Sequence, residues 1–183
     1  MPLKNKNIIL GICGGIAAYK ACDIIRQFIK LKANVECVLT KNGSNFITPL
    51  TLQTLSKNKV HQDMFEDIEN YDVNHISLAK KANIIVIAPA TADVIARLAV
   101  GRADDLLSSV VLASKAKILI CPSMNSNMLS HKAVCNNITI LKSYGYNFVM
   151  PESGELACGD CGNGRLANVE VIVSSVVKIL IDE

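Results

Sequence analysis

The chain has no tryptophan, and tyrosine and phenylalanine contribute only four residues each among 183. Stacking of unpaired bases needs aromatic platforms, so a single-stranded nucleic-acid binder is disfavoured. No block of five or six like charges occurs, and 19 basic against 16 acidic residues leave a net charge of +3. The electrostatic footprint of a phosphate-backbone binder is therefore missing too. A membrane span needs about 18 consecutive apolar residues, and no run is that long. Residues Met1–Lys6 lead straight into the strand-like run Asn7–Gly11. That run is too short for a secretion-signal core, and no small-residue cleavage site follows it. The expectation is a cytoplasmic protein with neither nucleic acid nor membrane as partner.

Seven cysteines, an odd number, then read as free thiols rather than a disulfide framework. Cys37 and Cys121 sit in apolar strand runs and are expected to be inert core residues. Cys158 and Cys161 form a CxxC, but no second CxxC or clustered histidine accompanies it, so no metal is expected.

Half of the chain is apolar and 19% is charged, which predicts one packed domain over residues 1–183. Apolar runs of strand length alternate with helical patterns. Strands are predicted at Ile8–Ile12, Val35–Leu39, Ile84–Ala88, Ile118–Cys121 and Asn147–Met150. Helices are predicted at 16–31, from Thr48-Pro49 onward, and at 92–100, 104–114, 127–143 and 168–181. Ile84-Ile85-Val86-Ile87-Ala88 is apolar on both faces, as covered parallel strands tend to be. The fold class is therefore α/β, a Rossmann-like (flavodoxin-like) doubly wound parallel sheet, whose ligands bind beyond the carboxyl ends of the strands.

The chemistry-bearing residues fall at those ends. After the first strand, Cys13, Gly14 and Gly15 form a turn into a helix, which suits either a phosphate or close strand–helix packing. The spacing is not GxGxxG, and Thr40 stands where an acidic residue would hold a ribose, so a mononucleotide fits better than NAD. After the central strand come Thr91, Ala92 and Asp93, able to face a flat polar ring or simply to cap a helix. Ser123 and Asn125 follow the next strand, either as ligand contacts or as turn residues. His75 precedes a short helical pattern, and Asp104-Asp105 look like helix N-terminal acids. The richest segment is Leu156–Arg165, which sets two thiols, a carboxylate and a guanidinium among three glycines. Cys158 can supply a proton there and Arg165 can hold an anion.

Four of these segments together resemble the flavin-containing cysteine decarboxylases. Gly14-Gly15-Ile16-Ala17-Ala18-Tyr19-Lys20 looks like that family's first FMN loop, and Ala88-Pro89-Ala90-Thr91-Ala92-Asp93 its second flavin motif. Pro122-Ser123-Met124-Asn125 with Met128 is similar to its PxMNxxM substrate pattern, and Ala157-Cys158-Gly159-Asp160 with Gly162, Gly164 and Arg165 to its catalytic loop. The sequence departs from the family at Cys13 for Ser, Leu129 for Trp and Leu166 for Met.

The resemblance implies FMN-dependent decarboxylation of 4′-phosphopantothenoylcysteine to 4′-phosphopantetheine in coenzyme A biosynthesis. Oxidation of the thiol-bearing carbon gives a thioaldehyde, carbon dioxide leaves, Cys158 protonates the ene-thiol and reduced FMN returns the hydride. His75 would act beside the flavin, and Asn125 and Met128 would hold substrate. FMN contacts are expected from Cys13, Gly14, Gly15, Thr40, Thr91, Ala92, Asp93 and Ser123. The family also implies a homotrimer or a dodecamer of trimers, with FMN near a subunit interface. A phosphopantothenoylcysteine synthetase is expected to be separate or fused, and the chain's end at Glu183 suggests a stand-alone enzyme or an excised domain.

A peptidyl-cysteine decarboxylase would share FMN and the first step but need not reduce its product, so Cys158 speaks against it. A flavin prenyltransferase has no use for the thiol. A non-catalytic regulatory flavoprotein fits poorly with His75, Asn125 and Cys158 all present. An electron carrier lacks its charged docking face here.

Overall fold

Side-chain alternation along the strands builds two cores. The sheet strands are β1 (Asn7–Ile12), β2 (Asn34–Leu39), β3 (Val60–His61), β4 (Ile84–Ala90), β5 (Lys117–Pro122) and β6 (Asn147–Phe148). Ile8, Leu10 and Ile12 of β1 enter one core, and Ile9 with the following Cys13 enters the other. On β4, Ile84, Val86 and Ala88 face the first core and Ile85, Ile87 and Ala90 the second. A strand buried on both faces must be covered twice, and it is. The computed structural model describes residues 2–65, 74–155 and 161–181.

Helices α1 (Ala21–Lys30), α2 (Pro49–Ser56) and α8 (Val169–Ile181) cover the first face through Ile24, Phe28, Leu52, Ile172 and Val176. The second face is covered by α3 (Asn74–Lys81), α4 (Ala92–Ala99), α5 (Leu106–Ala113) and α7 (Lys132–Ser143). The short α6 (Ser126–Ser130) lies ahead of α7. All five strand pairings are parallel, in the order β3-β2-β1-β4-β5-β6. The expected doubly wound α/β sheet is thus present. Its order reverses between β1 and β4, and a crevice opens there at the carboxyl ends.

Four departures from the sequence reading matter. Residues 16–20 form a 3₁₀ turn that leads into α1. The helix expected over 127–143 is broken at His131, which is extended and whose Nδ1 accepts from the Ala133 N–H at 3.2 Å. His75 lies inside the first turn of α3 rather than ahead of it. The late glycine segment carries an antiparallel pair, β7 (Glu152–Glu155) and β8 (Cys161–Arg165). Among the described residues no helix is long and apolar enough to cross a membrane. Cys13, Cys22, Cys37, Cys121 and Cys135 are free thiols. Cys37 and Cys121 are buried in the first core, and burial raises both thiols, that of Cys37 to about 12.

Candidate active site

Backbone hydrogen bonds lace four strand ends into one floor. Thr40 N–H donates to Ile12 O at 3.1 Å, Cys13 N–H to Pro89 O at 3.2 Å, and Ser123 N–H to Ala90 O at 3.0 Å. Each bond continues the sheet one step past its regular pairing. The loops leaving β1, β2, β4 and β5 therefore start from fixed, adjacent points.

The first loop is shaped by glycine. A Cβ on Gly14 would sit 2.6 Å from Asn42 Cβ and 2.8 Å from its carbonyl oxygen, so the β2 loop closes against a position that tolerates no side chain. Gly15 is extended, and a Cβ there would meet nothing within 4 Å. The space above Gly15 is open. Among the described residues, the N–H groups of Gly14, Gly15, Ile16 and Ala17 have no acceptor, and Ala18 N–H is the first to be used, donating to Gly15 O at 2.9 Å. Free amides at a helix-leading turn are an anion cradle. Cys13 belongs to it less directly, because its amide is committed to Pro89. Its thiol is buried in the second core, and burial pushes it up to about 12.

Two cavities meet at Gly14 and Thr91. The larger, about 540 Å³, extends from Gly15 and Ala92 to Ser123, Asn125, Met128 and Arg165. Its wall includes Ile16 and Tyr19, which are exposed in spite of their helical spacing. The smaller, about 430 Å³, runs from Cys13 and Thr40 to Asp93, Arg97, Asp104 and Asp105. Both volumes suit a small-molecule ligand.

Individual side chains divide between structural and open roles. Thr40 Oγ1 donates to Ile12 O and accepts from Gly43 N–H. Thr91 caps α4, its Oγ1 accepting from Val94 N–H at 3.4 Å, and still lines both cavities. Asn125 caps α6 through Oδ1, which accepts from Asn127 N–H at 2.9 Å, while its Nδ2 donates to no described residue. Ser123 Oγ donates to Gly164 O at 3.2 Å, and Met124 N–H to the same oxygen at 3.1 Å. These two bonds fasten β8 to the Asn125 loop and put Arg165 on the cavity wall.

Lys20 joins Arg165 on that wall, its Nζ donating to Leu166 O at 3.2 Å. Burial, and next the charge of Arg165, hold the Lys20 ammonium below the usual lysine range. Two cations kept close at an open wall favour an anionic ligand. Lys20 ends the motif Gly14–Lys20, and its role emerges only from these contacts. The cavity-lining role of Arg97, Asp104 and Asp105 likewise emerges from the structure; in the sequence, the four-residue spacing of Asp93 and Arg97 is the available signal.

The structure thus brings Gly14, Gly15, Thr91, Ala92, Ser123, Asn125, Met128 and Arg165 together, with Cys13, Thr40 and Asp93 adjoining through the smaller cavity. His75 lines neither cavity, and among the described residues its buried Nδ1 has no partner. Cys158 lies outside the described residues. No group of three or more metal-ligating side chains occurs among the described residues.

Comparison with known proteins fits this geometry. A family model described as flavoprotein matches residues 1–181. The chain is 42% identical over 181 residues to the coenzyme A biosynthesis bifunctional protein CoaBC of Bacillus subtilis, covering 99% of this chain and 45% of that protein. It spans about half the length of such bifunctional relatives. A probable phosphopantothenoylcysteine decarboxylase of Streptococcus mutans is 41% identical, with 96% of this chain and 99% of that one covered. Among solved structures, a cysteine-to-serine variant of PPC decarboxylase complexed with pantothenoylaminoethenethiol superposes with a TM-score of 0.83 at 28% identity, covering 93% of this chain and 96% of the other. The FMN-dependent cysteine decarboxylase SpaF gives 0.85 at 27%, covering 97% and 96%.

Proposed function

The chain belongs to the flavoprotein family, and from that premise we propose that it is an FMN-dependent decarboxylase converting 4′-phosphopantothenoylcysteine to 4′-phosphopantetheine for coenzyme A biosynthesis. Residues 1–183 act as one FMN-binding decarboxylase domain in this reading. The observation that carries it is the joining of Asn125, Met128 and Arg165 to the Gly14–Gly15 amide cradle and Thr91 in one continuous crevice. Relatives named for this reaction match the chain nearly end to end.

The residues present fit FMN. The free amides of Gly14, Gly15, Ile16 and Ala17 and the open space over Gly15 suit its anionic and backbone-hugging parts. Thr40, Thr91, Ala92, Asp93 and Ser123 would supply the remaining contacts. Bound FMN supplies a hydride acceptor, and later donor, at the thiol-bearing carbon.

The protein's own part is binding, orientation and proton delivery. Asn125 Nδ2 points a donor at the substrate carboxylate while Oδ1 stays committed to the α6 cap, which fixes the amide's orientation. Lys20 and Arg165 hold the substrate's anionic groups, and Met128 packs on its apolar stem. Cys158 protonates the ene-thiol left after carbon dioxide departs. His75 completes the site in a homotrimer, or a dodecamer of trimers, where α3 of one subunit faces the crevice of another. A phosphopantothenoylcysteine synthetase, fused or separate, supplies the substrate.

The test is to load the purified chain with FMN, add 4′-phosphopantothenoylcysteine, and follow released carbon dioxide and product mass. The expected product is lighter than substrate by one carbon dioxide. A flavin-loaded protein that releases none overturns the reading.

A further inference from the structure

One guanidinium organises the far wall of the smaller cavity. Arg97 sits in the last turn of α4 with its side chain three-quarters buried, and its Nε lies 2.9 Å from Asp93 Oδ2. Its Nη1 donates to Asp104 Oδ1 at 2.7 Å and to Asp105 Oδ2 at 3.2 Å. Each carboxylate is also committed elsewhere, except that of Asp93. Asp104 Oδ2 meets Arg102 Nη2 at 2.6 Å, and Asp105 Oδ1 caps α5 by accepting from Ser108 N–H at 2.8 Å. The chain between α4 and α5 folds around this centre, with Arg102 N–H donating to Arg97 O at 2.8 Å and Gly101 in the left-handed region at φ 70°.

Asp93 is the member with freedom to lose. Its side chain is 64% exposed, and among the described residues it ion-pairs with Arg97 alone. Without Arg97 it would be a solvated carboxylate on the first turn of α4, able to take several rotamers. The ion pair with Arg97 draws Oδ2 inward, although the buried Nε makes no hydrogen bond among the described residues, and Oδ1 is left to accept from a ligand. A carboxylate accepts and never donates, so the ligand group it meets must carry an N–H or O–H.

We propose that Arg97 is a positioning residue of the flavin site: it orients Asp93 toward a hydrogen-bond donor of the bound flavin, while its bonds to Asp104 and to the α5 cap Asp105 hold the guanidinium itself in place. The inference rests on the reading that this crevice binds FMN. It also assigns polarity to the cavity. Three carboxylates meet two guanidiniums here and leave the wall net negative, so the donor-bearing part of the ligand faces this wall and the phosphate faces the amide cradle.

The test is fluorescence titration of the apoprotein with FMN, run beside urea unfolding of each variant. Loss of a hydrogen bond to a charged group predicts that Arg97→Met raises the FMN dissociation constant about 10- to 100-fold. Arg102→Met removes the same charge without touching Asp93, and should change it less than about threefold. Arg97→Lys can pair with one carboxylate but cannot bridge three, so it should fall between and shift the absorption spectrum of the bound flavin. Because Arg97 acts through Asp93, Asp93→Asn with Arg97→Met should bind FMN no more weakly than Asp93→Asn alone. If Arg97→Met does not fold, the same cycle is run with Arg97→Lys. Additive losses, or unchanged affinity in the Arg97 variant that folds, overturn the inference alone. Parent apoprotein that binds no FMN overturns the functional reading and the inference with it.

Discussion

Asn125 uses one end of its amide to hold a helix, and the substrate role proposed for the other end can be tested separately. Aspartate caps a helix about as well as asparagine, whereas alanine costs roughly 1 kcal/mol at such a position. Asn125→Asp should therefore keep a parent-like melting temperature. It replaces the free donor with a like charge against the substrate carboxylate, so decarboxylation should fall by about 100-fold or more. Thermal melts and turnover of the two variants check this; Asn125→Asp with parent-like turnover removes Asn125 from the substrate site. A second separation applies to the cysteines of the glycine segment. Cys161 opens β8, and Cys158 falls in the stretch assigned to proton delivery by sequence resemblance. A hydroxyl is a far weaker acid than a thiol of pKa about 8.5. Cys158→Ser should release carbon dioxide but accumulate an ene-thiol lighter than 4′-phosphopantetheine by a hydride and a proton. Cys161→Ser should turn over like the parent. Equal losses in mass-spectrometric assays of both variants would point to a redox dithiol instead.

Among the elements, α3 joins the proposed chemistry to a partly buried ion cluster. His75 lies in its first turn. At its other end Lys81 Nζ donates to Glu36 Oε1, and Ser114 Oγ donates to Ala79 O at 3.0 Å. Glu36 is buried on β2, where His61 Nε2 meets Oε2 at 3.2 Å. The hydrogen bond from His61 and then Lys81 lower the Glu36 carboxyl below its ordinary 4.5, against the opposing effect of burial. A depressed carboxylate pKa stabilises the fold above the unfolded value, and that contribution is lost as pH falls through the folded value. Glu36→Gln should therefore lower stability by about 1–3 kcal/mol at pH 7. The deficit should shrink below about pH 4.5, and urea unfolding across pH 3–7 reads it. A deficit independent of pH would assign Glu36 a packing role only. None of this cluster shows in the sequence, since its members stand 20 and more residues apart on β2, β3 and α3. The break at His131 was hidden for a related reason: an imidazole cap leaves the apolar spacing of 127–143 intact. The strand β8, Cys-Gly-Asn-Gly-Arg, carries no β-branched or aromatic residue to announce it.

At the scale of the whole molecule, the parallel sheet was legible because apolar runs such as Ile84–Ala88 have no half-exposed alternative. Once the sheet is doubly wound, topology places Gly14, Thr91 and Asn125 at one rim, whatever their spacing in the chain. What topology does not dictate is which side chains lock the rim, and Arg97 and Lys20 emerge only from contacts. The same rim decides which flavin fits. A dinucleotide fold keeps the end of β2 free for a ribose and its acidic partner. Here that end carries no acidic residue to hold a ribose: Thr40 is bonded to Ile12 and Gly43, Asn42 packs on Gly14, and a 3₁₀ turn at Gly43–Asn45 follows. Purified protein should be yellow and release FMN on denaturation. FMN at about 100 times its dissociation constant should stabilise the apoprotein by roughly 2.7 kcal/mol. For a chain of this size that raises the melting temperature by about 5–10 °C. Equal concentrations of FAD should leave it nearly unchanged, and an equal shift with FAD would show that the β2 end is open to a dinucleotide after all.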